Sequence, residues 1–180
     1  MGQAVTSTGE QIDYITLPTV LGLMMMAATK KGICQLSFFK DEAEAAAFLA
    51  KEYPAARVQP AGADDQLTHW AKEVAIFLEK GGPRPDLPLD MRGTAFQLKV
   101  WQALRDIPAG QTTTYGALAT KIGHPKAYRA VGSANGRNPV AVLVPCHLVV
   151  AAGGKLGGYA FGAEKKRHLL ALETKDQLFA

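Results

Sequence analysis

The sequence has few cysteines and no long apolar run, and these absences argue against a zinc protein and against a membrane-spanning protein. Only two of its 180 residues are cysteine, Cys34 and Cys146, and no group of Cys and His residues has the spacing of a zinc site. The first apolar run, Val20–Ala28, has nine residues, fewer than half of the roughly 20 that cross a bilayer. No secretory signal precedes it. We therefore expect a reducing, intracellular protein without a bound metal and without a membrane span.

Acidic residues are scarce in the second half of the chain. Residues 1–90 have 8 basic and 12 acidic side chains, whereas residues 91–180 have 12 basic and 4 acidic ones. Positive charge confined to one half indicates contact with a polyanion such as nucleic acid. A basic surface that serves only solubility is the alternative, and charge alone does not decide between the two.

A proline-rich segment divides the chain. Residues 81–90 include three prolines and two glycines, a composition typical of a stiff linker that spans rather than packs. Ahead of it, apolar runs bounded by turn residues predict antiparallel strands, and amphipathic runs predict helices. The predicted strands are 12–17, 20–29 and 33–39 with a short one at 57–58, and the predicted helices are 41–53 and 66–80. We expect a strand-rich N-terminal domain over residues 1–90, linker included.

The second half, residues 91–180, has a mainly helical pattern. Thr94 caps a predicted helix that runs to Ile107, and Thr113 or Thr114 caps a short helix over residues 115–122. A glycine-containing turn leads into a third helix, residues 126–135. Two short helices joined in this way match a helix-turn-helix.

The end of the chain is predicted to return to a strand and a helix. The apolar run Val140–Val144 predicts a buried strand ahead of Cys146, and a last helix is predicted from Ala163 to about Leu172. The fold class that follows is α/β (α+β): a small strand-rich N-terminal domain with flanking helices, then a mainly helical domain that contains the helix-turn-helix.

Cys146 and His147 form the first candidate for chemistry. A histidine can take the proton of a thiol, but adjacent side chains on a strand point to opposite faces. The two can cooperate only where the chain leaves the strand, which Pro145 favours, or where a water bridges them. A buried cysteine beside an incidental histidine is the alternative, which the dipeptide alone does not exclude. Cys34 lies in an apolar run and is expected to be a core residue.

Several separated motifs of the second half resemble one family. Residues 138–147, Asn-Pro-Val-Ala-Val-Leu-Val-Pro-Cys-His, resemble the active-site signature of the O6-alkylguanine-DNA alkyltransferases, or methylated-DNA–protein-cysteine methyltransferases. The resemblance is close over residues 92–173 and looser, though compatible, over the first half. Further motifs that match in the same order are Gly93–Gln97, Val100–Trp101, Pro108–Gly110 followed by Tyr115, Arg129–Val131 and Gly158–Tyr159.

The resemblance implies a protein that moves an alkyl group from O6-alkylguanine in DNA irreversibly to its own cysteine, once per molecule and without a cofactor. By position, Cys146 would be the acceptor, His147 would draw off its proton through a water, and Glu173 would orient His147. Asn138 would hold the turn before the active-site strand. Tyr115 would donate a hydrogen bond to guanine and promote extrusion of the base.

The resemblance also implies double-stranded DNA bound through the minor groove with the damaged base flipped out. Arg129 would fill the place of that base. Small side chains on the helix predicted over residues 126–135 allow close approach to a narrow groove and make few contacts that distinguish one base sequence from another. Tight helix packing is the alternative role of these side chains. The expected DNA contacts are Ala130, Gly132, Ser133 and Ala134, and the expected pocket wall is Val149, Gly157, Gly158, Tyr159 and Ala160.

Two positions depart from the family pattern. Leu148 stands where the family usually has arginine, which bears on stability or on contact between domains rather than on chemistry. Ala160 stands where some bacterial relatives have arginine, and the smaller side chain predicts that bulkier adducts such as benzyl are accepted. The zinc-binding residues of some relatives have no counterpart in the first half.

Three other functions remain open from the sequence. They are a non-catalytic sensor of alkylated DNA, a helix-turn-helix regulator that is part of a larger adaptive-response protein, and a cysteine hydrolase built on Cys146, His147 and Glu173. The sensors lack the acceptor cysteine, no N-terminal cysteine cluster of the regulators is seen, and a hydrolase gives the basic half no role. We expect a monomer in the cytoplasm, or in the nucleus of a eukaryotic cell.

Overall fold

The computed structural model describes residues 9–174, in which two compact units divide between Arg92 and Gly93. The four-stranded sheet lies in the first unit and the second unit is mainly helical, which confirms the α+β fold class. Within residues 9–174, no helix has the length and the apolar character needed to span a membrane.

The first unit is a four-stranded sheet with two helices. Its elements are β1 (Gln11–Thr19), β2 (Gly22–Thr29), β3 (Gly32–Phe39), α1 (Glu42–Glu52), β4 (Arg57–Pro60) and α2 (Gln66–Lys80). Strands β1, β2 and β3 run antiparallel as predicted, and β4 pairs in parallel with β1, so the strand order is β3-β2-β1-β4. Most of β2 and β3 is buried on both faces, which explains why their apolar runs do not alternate with polar residues.

The end of the proline-rich segment packs against the sheet instead of only spanning. Ile33 donates its backbone N–H to the carbonyl of Pro88 at 2.9 Å and accepts from the N–H of Asp90 at 2.8 Å, so residues 88–90 pair with the free edge of β3. Gly32 is required there, because a Cβ would lie 2.5 Å from the Pro88 oxygen. Composition predicted a linker, but an unpaired edge strand offers backbone partners to any extended neighbour.

The second unit is mainly helical. Its elements are α3 (Ala95–Arg105), β5 (Thr113–Thr114), α4 (Tyr115–Lys121), α5 (Tyr128–Gly136), β6 (Val149–Val150) and α6 (Ala163–Glu173), and α4 and α5 form the predicted helix-turn-helix. Thr94 and Gln97 form a reciprocal capping box at the start of α3, and Thr114 caps α4 by accepting from the N–H of Ala117 at 3.2 Å. The Trp101 indole donates to the carbonyl of Ala134 at 2.9 Å and so joins α3 to α5.

The predicted strand over Val140–Val144 is wrong. This stretch is a buried irregular loop, and the side chain of Asn138 holds it together. Asn138 accepts from the Val140 N–H at 3.0 Å and donates to the Val144 carbonyl at 2.7 Å. Val142 has φ 71°, in the left-handed region that a β-branched side chain disfavours. A continuous apolar run signals burial, and here the buried residues 141–144 form turns rather than a strand.

The backbone of Val142 yields a test of this loop. Val142→Gly should be about 1 kcal/mol more stable than Val142→Ala, because glycine adopts positive φ without steric conflict. The two variants remove the same side-chain packing apart from one methyl group. Which of them has the larger free energy of unfolding therefore depends on the φ angle at residue 142. Urea unfolding of the two variants measures the difference.

Val131 provides the matched control. It is fully buried in the regular helix α5, where alanine should exceed glycine by about 1 kcal/mol. An alanine variant more stable than the glycine variant at both positions would contradict the loop conformation.

Candidate active site

Cys146 begins a short 3-10 turn, Cys146–Leu148, directly after the Asn138 loop. The chain therefore leaves extended geometry at this point, which is the condition that the sequence set for cooperation between Cys146 and His147. Cys146 is 5% exposed and His147 is fully buried. Leu148 is also buried, at 2% exposure, so the position where the family usually has arginine is an apolar packing position here.

Cys146 lies on the wall of a cavity of about 310 Å³. This volume is at the small end of ligand sites, which suits one planar heterocycle rather than an extended ligand. Most of the residues predicted for catalysis and for the pocket meet here. The lining residues are Tyr115, Gly132, Asn135, Gly136, Asn138, Cys146, Gly158, Tyr159, Ala160 and Phe161.

Two of the predicted pocket residues lie behind the wall rather than on it. Val149 is fully buried and does not line the cavity. Gly157 has φ 74°, and a Cβ there would lie 3.2 Å from the Ala151 nitrogen and 3.4 Å from the Lys166 Nζ. Both residues therefore shape the wall through their backbone. Of the lining residues, Asn135, Gly136 and Phe161 were not predicted.

His147 and Glu173 form a buried pair. Nε2 of His147 and Oε2 of Glu173 are 2.6 Å apart, with the side chains 0% and 8% exposed. The carboxylate fixes the ring orientation and favours the tautomer with the proton on Nε2. Nδ1 of His147 is buried and has no hydrogen-bond partner among residues 9–174. The predicted pairing of Glu173 with His147 is thus present in the geometry.

Two asparagines hold the backbone around Cys146. Asn138 donates to the carbonyl of Val144, which also accepts from the Cys146 N–H at 2.8 Å. Asn135 donates to the carbonyl of Cys146 at 3.4 Å. The sequence predicted the role of Asn138, whereas Asn135 gave no signal beyond its place on the buried face of a helix.

The thiol of Cys146 is protonated at rest. Burial raises its pKa, although a hydrogen bond from Asn138 and the positive charge of Lys166 oppose that effect. Burial also raises the pKa of Tyr115 and, strongly, that of Tyr159, so both phenols keep their protons and can donate hydrogen bonds. A reaction at Cys146 therefore requires a base that removes its proton.

The second cysteine has a structural environment. Cys34 lies in the core of the first unit, where burial raises its pKa to about 11. Its Sγ donates to the carbonyl of Ala27 at 3.6 Å. Cys34 is therefore the core residue that the sequence predicted.

Lys166 is a site residue that the sequence analysis missed. It is fully buried, and its Nζ donates to the carbonyls of Val149 at 2.7 Å and of Gly158 at 2.9 Å. These bonds join the chain just after the cysteine turn to the loop that forms the opposite cavity wall. The spacing of Lys166 from Leu169 and Leu170 places it on the buried face of α6, and that spacing was the available signal.

The predicted DNA-contact residues do not all face outward. Arg129, Ala130 and Ser133 are exposed on α5, and Gly132 is partly buried against the ring of Tyr115. Ala134 is 3% exposed and packs toward α3 through the bond from Trp101. Small side chains on α5 therefore serve both an exposed face and helix packing.

No group of three or more His, Cys, Asp or Glu residues within residues 9–174 is arranged to hold a metal ion. The described cavity contains one cysteine and no carboxylate on its wall.

Comparisons with known proteins find relatives among the O6-methylguanine-DNA methyltransferases. The family model described as "6-O-methylguanine DNA methyltransferase, DNA binding domain" matches residues 95–175. The chain is 42% identical to the methylated-DNA–protein-cysteine methyltransferase of Mycolicibacterium paratuberculosis over 91% of its own length and 93% of that protein. It is 41% identical to the Escherichia coli bifunctional transcriptional activator/DNA repair enzyme Ada over 92% of its own length, but it spans only 46% of Ada.

Solved structures from Mycobacterium tuberculosis have the same fold. The structure of the O6-methylguanine methyltransferase of that organism has a TM-score of 0.73 and 36% identity, and the alignment covers 89% of this chain and 92% of that one. The structure of Mycobacterium tuberculosis OGT in complex with DNA has a TM-score of 0.72 and 34% identity, with 90% and 91% covered.

The buried ammonium of Lys166 yields a stability prediction. Lys166→Met should destabilise the protein by about 1–3 kcal/mol, because it leaves the buried carbonyl of Val149 and the part-buried bonding position at Gly158 without a donor. Arg167→Met, at the exposed neighbouring position, is the control and should change stability by no more than about 0.5 kcal/mol. Chemical denaturation measures both, and equal effects would contradict the assigned contacts.

The same residue has a pH signature. Burial lowers the pKa of Lys166 from 10.5 to about 8, so between these values the unfolded chain binds more protons than the folded one. Stability contributed by this group therefore rises as the pH goes from about 8 to 10.5. The stability gap between the unmodified protein and Lys166→Met should widen over that interval, and a constant gap would refute the assignment.

Proposed function

The chain belongs to the O6-methylguanine-DNA methyltransferase family, and we propose that it repairs DNA by moving the alkyl group of O6-alkylguanine to Cys146. One arrangement of side chains supports this proposal. A buried thiol lies on the wall of a base-sized cavity, and the next residue is a histidine that a buried carboxylate orients. This is the nucleophile, base and orienter arrangement of covalent catalysis.

Proton removal comes first. Glu173 accepts from Nε2–H of His147, which leaves the lone pair of Nδ1 as the basic site of the ring. A water bridging Nδ1 and Sγ carries the thiol proton to His147. The positive charge of Lys166 and the hydrogen bond from Asn138 stabilise the thiolate that remains.

The thiolate then attacks the alkyl carbon. A carbon–sulfur bond forms as the bond between that carbon and O6 breaks, and the bonding pair moves to the guanine. The guanine takes up a proton and remains in the DNA as the normal base. Tyr115 lies on the cavity wall and keeps its proton, so it can donate a hydrogen bond to the ring as negative charge develops.

The product on the protein is a thioether, and no group on the cavity wall can cleave it. The second thiol, Cys34, is buried in the core of the other unit. Each molecule therefore reacts once.

Base extrusion is part of the proposal, because a thiolate in a buried pocket cannot reach O6 inside a duplex. The flipped base enters between Tyr115 and the loop that carries Gly158, Tyr159 and Ala160. Tyr159 has a buried hydroxyl without a hydrogen-bond partner among the described residues, and that hydroxyl can serve a polar edge of the base.

DNA binds at α5 through the minor groove. The exposed side chains there are small apart from Tyr128, Arg129 and Arg137, so the helix can approach a narrow groove closely while reading little sequence. Arg129 fills the position of the extruded base. The proposed nucleophile, base and DNA-binding helix all lie in the second unit, which supports action as a monomer. DNA as the substrate supports an intracellular location.

The decisive experiment measures protein mass after incubation with duplex DNA that contains O6-methylguanine. We expect a gain of one methylene group, located on Cys146 by peptide mapping, with one equivalent of lesion repaired per protein molecule. Repeated turnover would contradict the single-use mechanism.

Two cysteine variants serve as controls. Cys146→Ala should abolish the mass gain while leaving binding to the lesion measurable, and Cys34→Ala should react as the unmodified protein does. Lesion binding without any transfer by the unmodified protein would favour the damage-sensor alternative.

The small side chain of Ala160 predicts that bulky alkyl groups are accepted. It is exposed beside the cavity, and a long arginine side chain there would restrict bulky adducts more than a methyl group. Ala160→Arg should lower the rate for O6-benzylguanine relative to O6-methylguanine about tenfold, an effect of about 1.4 kcal/mol on one barrier. Ala160→Ser, which stays small, should keep the original ratio. An unchanged ratio in the arginine variant would exclude this role of Ala160.

A further inference from the structure

Tyr128 is the large exposed side chain on the helix that is proposed to meet DNA. It is the first residue of α5 and is 50% exposed, whereas the other exposed positions of the first turns are Arg129, Ala130 and Ser133. A bulky ring conflicts with the close groove approach that the small side chains permit, unless the ring itself takes part in binding.

The ring of Tyr128 holds its neighbour. The guanidinium carbon of Arg129 lies 5.9 Å from the ring centroid, within the range of a cation–π contact. Arginine stacks on aromatic faces because its guanidinium is planar and weakly hydrated. The flexible side chain of Arg129 therefore has a preferred position before DNA binds.

The position of Tyr128 connects it to the cavity. Tyr128, Gly132 and Gly136 follow one another at four-residue spacing, so they lie along one side of α5. Gly132 and Gly136 line the cavity, and Tyr128 continues the same row beyond it. The Tyr128–Arg129 pair is thus located next to the place where the base would leave the duplex.

We propose that Tyr128 is a positioning residue for Arg129 and that the two enter the DNA as one stacked pair during base extrusion. The inference rests on the proposed function. Its partner is duplex DNA at the extruded nucleotide, where the ring supports the guanidinium that replaces the base in the stack. Removal of the ring leaves a mobile arginine that must be ordered at the moment of insertion.

The test compares two DNA substrates and two ring substitutions. Tyr128→Phe keeps the aromatic face, and Tyr128→Leu keeps an apolar side chain without one. Transfer rates are measured with O6-methylguanine in a duplex and in a single-stranded oligonucleotide, where no stacked pair has to be opened. We expect Tyr128→Leu to slow the duplex reaction about fivefold, as an exposed cation–π contact implies. Tyr128→Phe should keep the original rate, and both variants should react normally with the single strand.

Arg129→Ala provides the coupling measurement. If the pair acts as one unit, Tyr128→Leu has no further effect on the duplex rate in a protein that already contains Arg129→Ala. A full additional loss in the double variant would overturn the proposal, as would an unchanged duplex rate in Tyr128→Leu or an equal loss on both substrates. Absence of transfer by the unmodified protein on either substrate would instead overturn the proposed function itself.

Discussion

The side chain of Asn138 is the constraint on which the active site depends. Its amide bridges the N–H of Val140 and the carbonyl of Val144, and so closes the loop that precedes Cys146. This closure gives the Val140 N–H and the Val144 carbonyl partners inside a buried loop, in which Val142 has the left-handed conformation. Cys146 follows as the first residue of a 3-10 turn, which brings His147 to Glu173. The position of Cys146, the proposed nucleophile, therefore depends on one side chain eight residues before it.

Under the proposed function, burial keeps the Cys146 thiol protonated and unreactive until the substrate arrives. A surface thiolate would react with any electrophile, whereas the Cys146 thiol is almost fully enclosed and its pKa is raised. The ammonium of Lys166 and the Asn138 amide limit the penalty of ionisation without removing it. Selectivity then arises from the pocket, since only a ligand that fills the cavity brings its alkyl carbon to the sulfur.

Local signals in the sequence predicted much of the fold. Thr94 with Gln97 and Thr114 ahead of α4 are caps that depend on residues three apart, so they can be identified without tertiary information. The run Val140–Val144 failed because apolar character reports burial and not backbone conformation. The contact between residues 88–90 and β3 was also missed, since sequence spacing does not reveal which strand has a free edge. The cysteine, histidine and glutamate of the site came from motif resemblance, and their mutual distances needed the fold. Helical spacing places Lys166 and Asn135 on buried faces, but both were missed as site residues because the carbonyls to which they donate are brought to them only by the fold.

Helix α6 carries Lys166 and Glu173, and the helical geometry fixes their positions relative to each other. Lys166 and Glu173 are seven residues apart, close to two helical turns, so both project toward the same side of the helix. An insertion or deletion of one residue between them would rotate the later group by about 100° and separate the carboxylate from His147 or the ammonium from the cavity loop. The segment 167–172 can therefore vary in composition at its exposed positions, but its length is fixed by the geometry at its two ends.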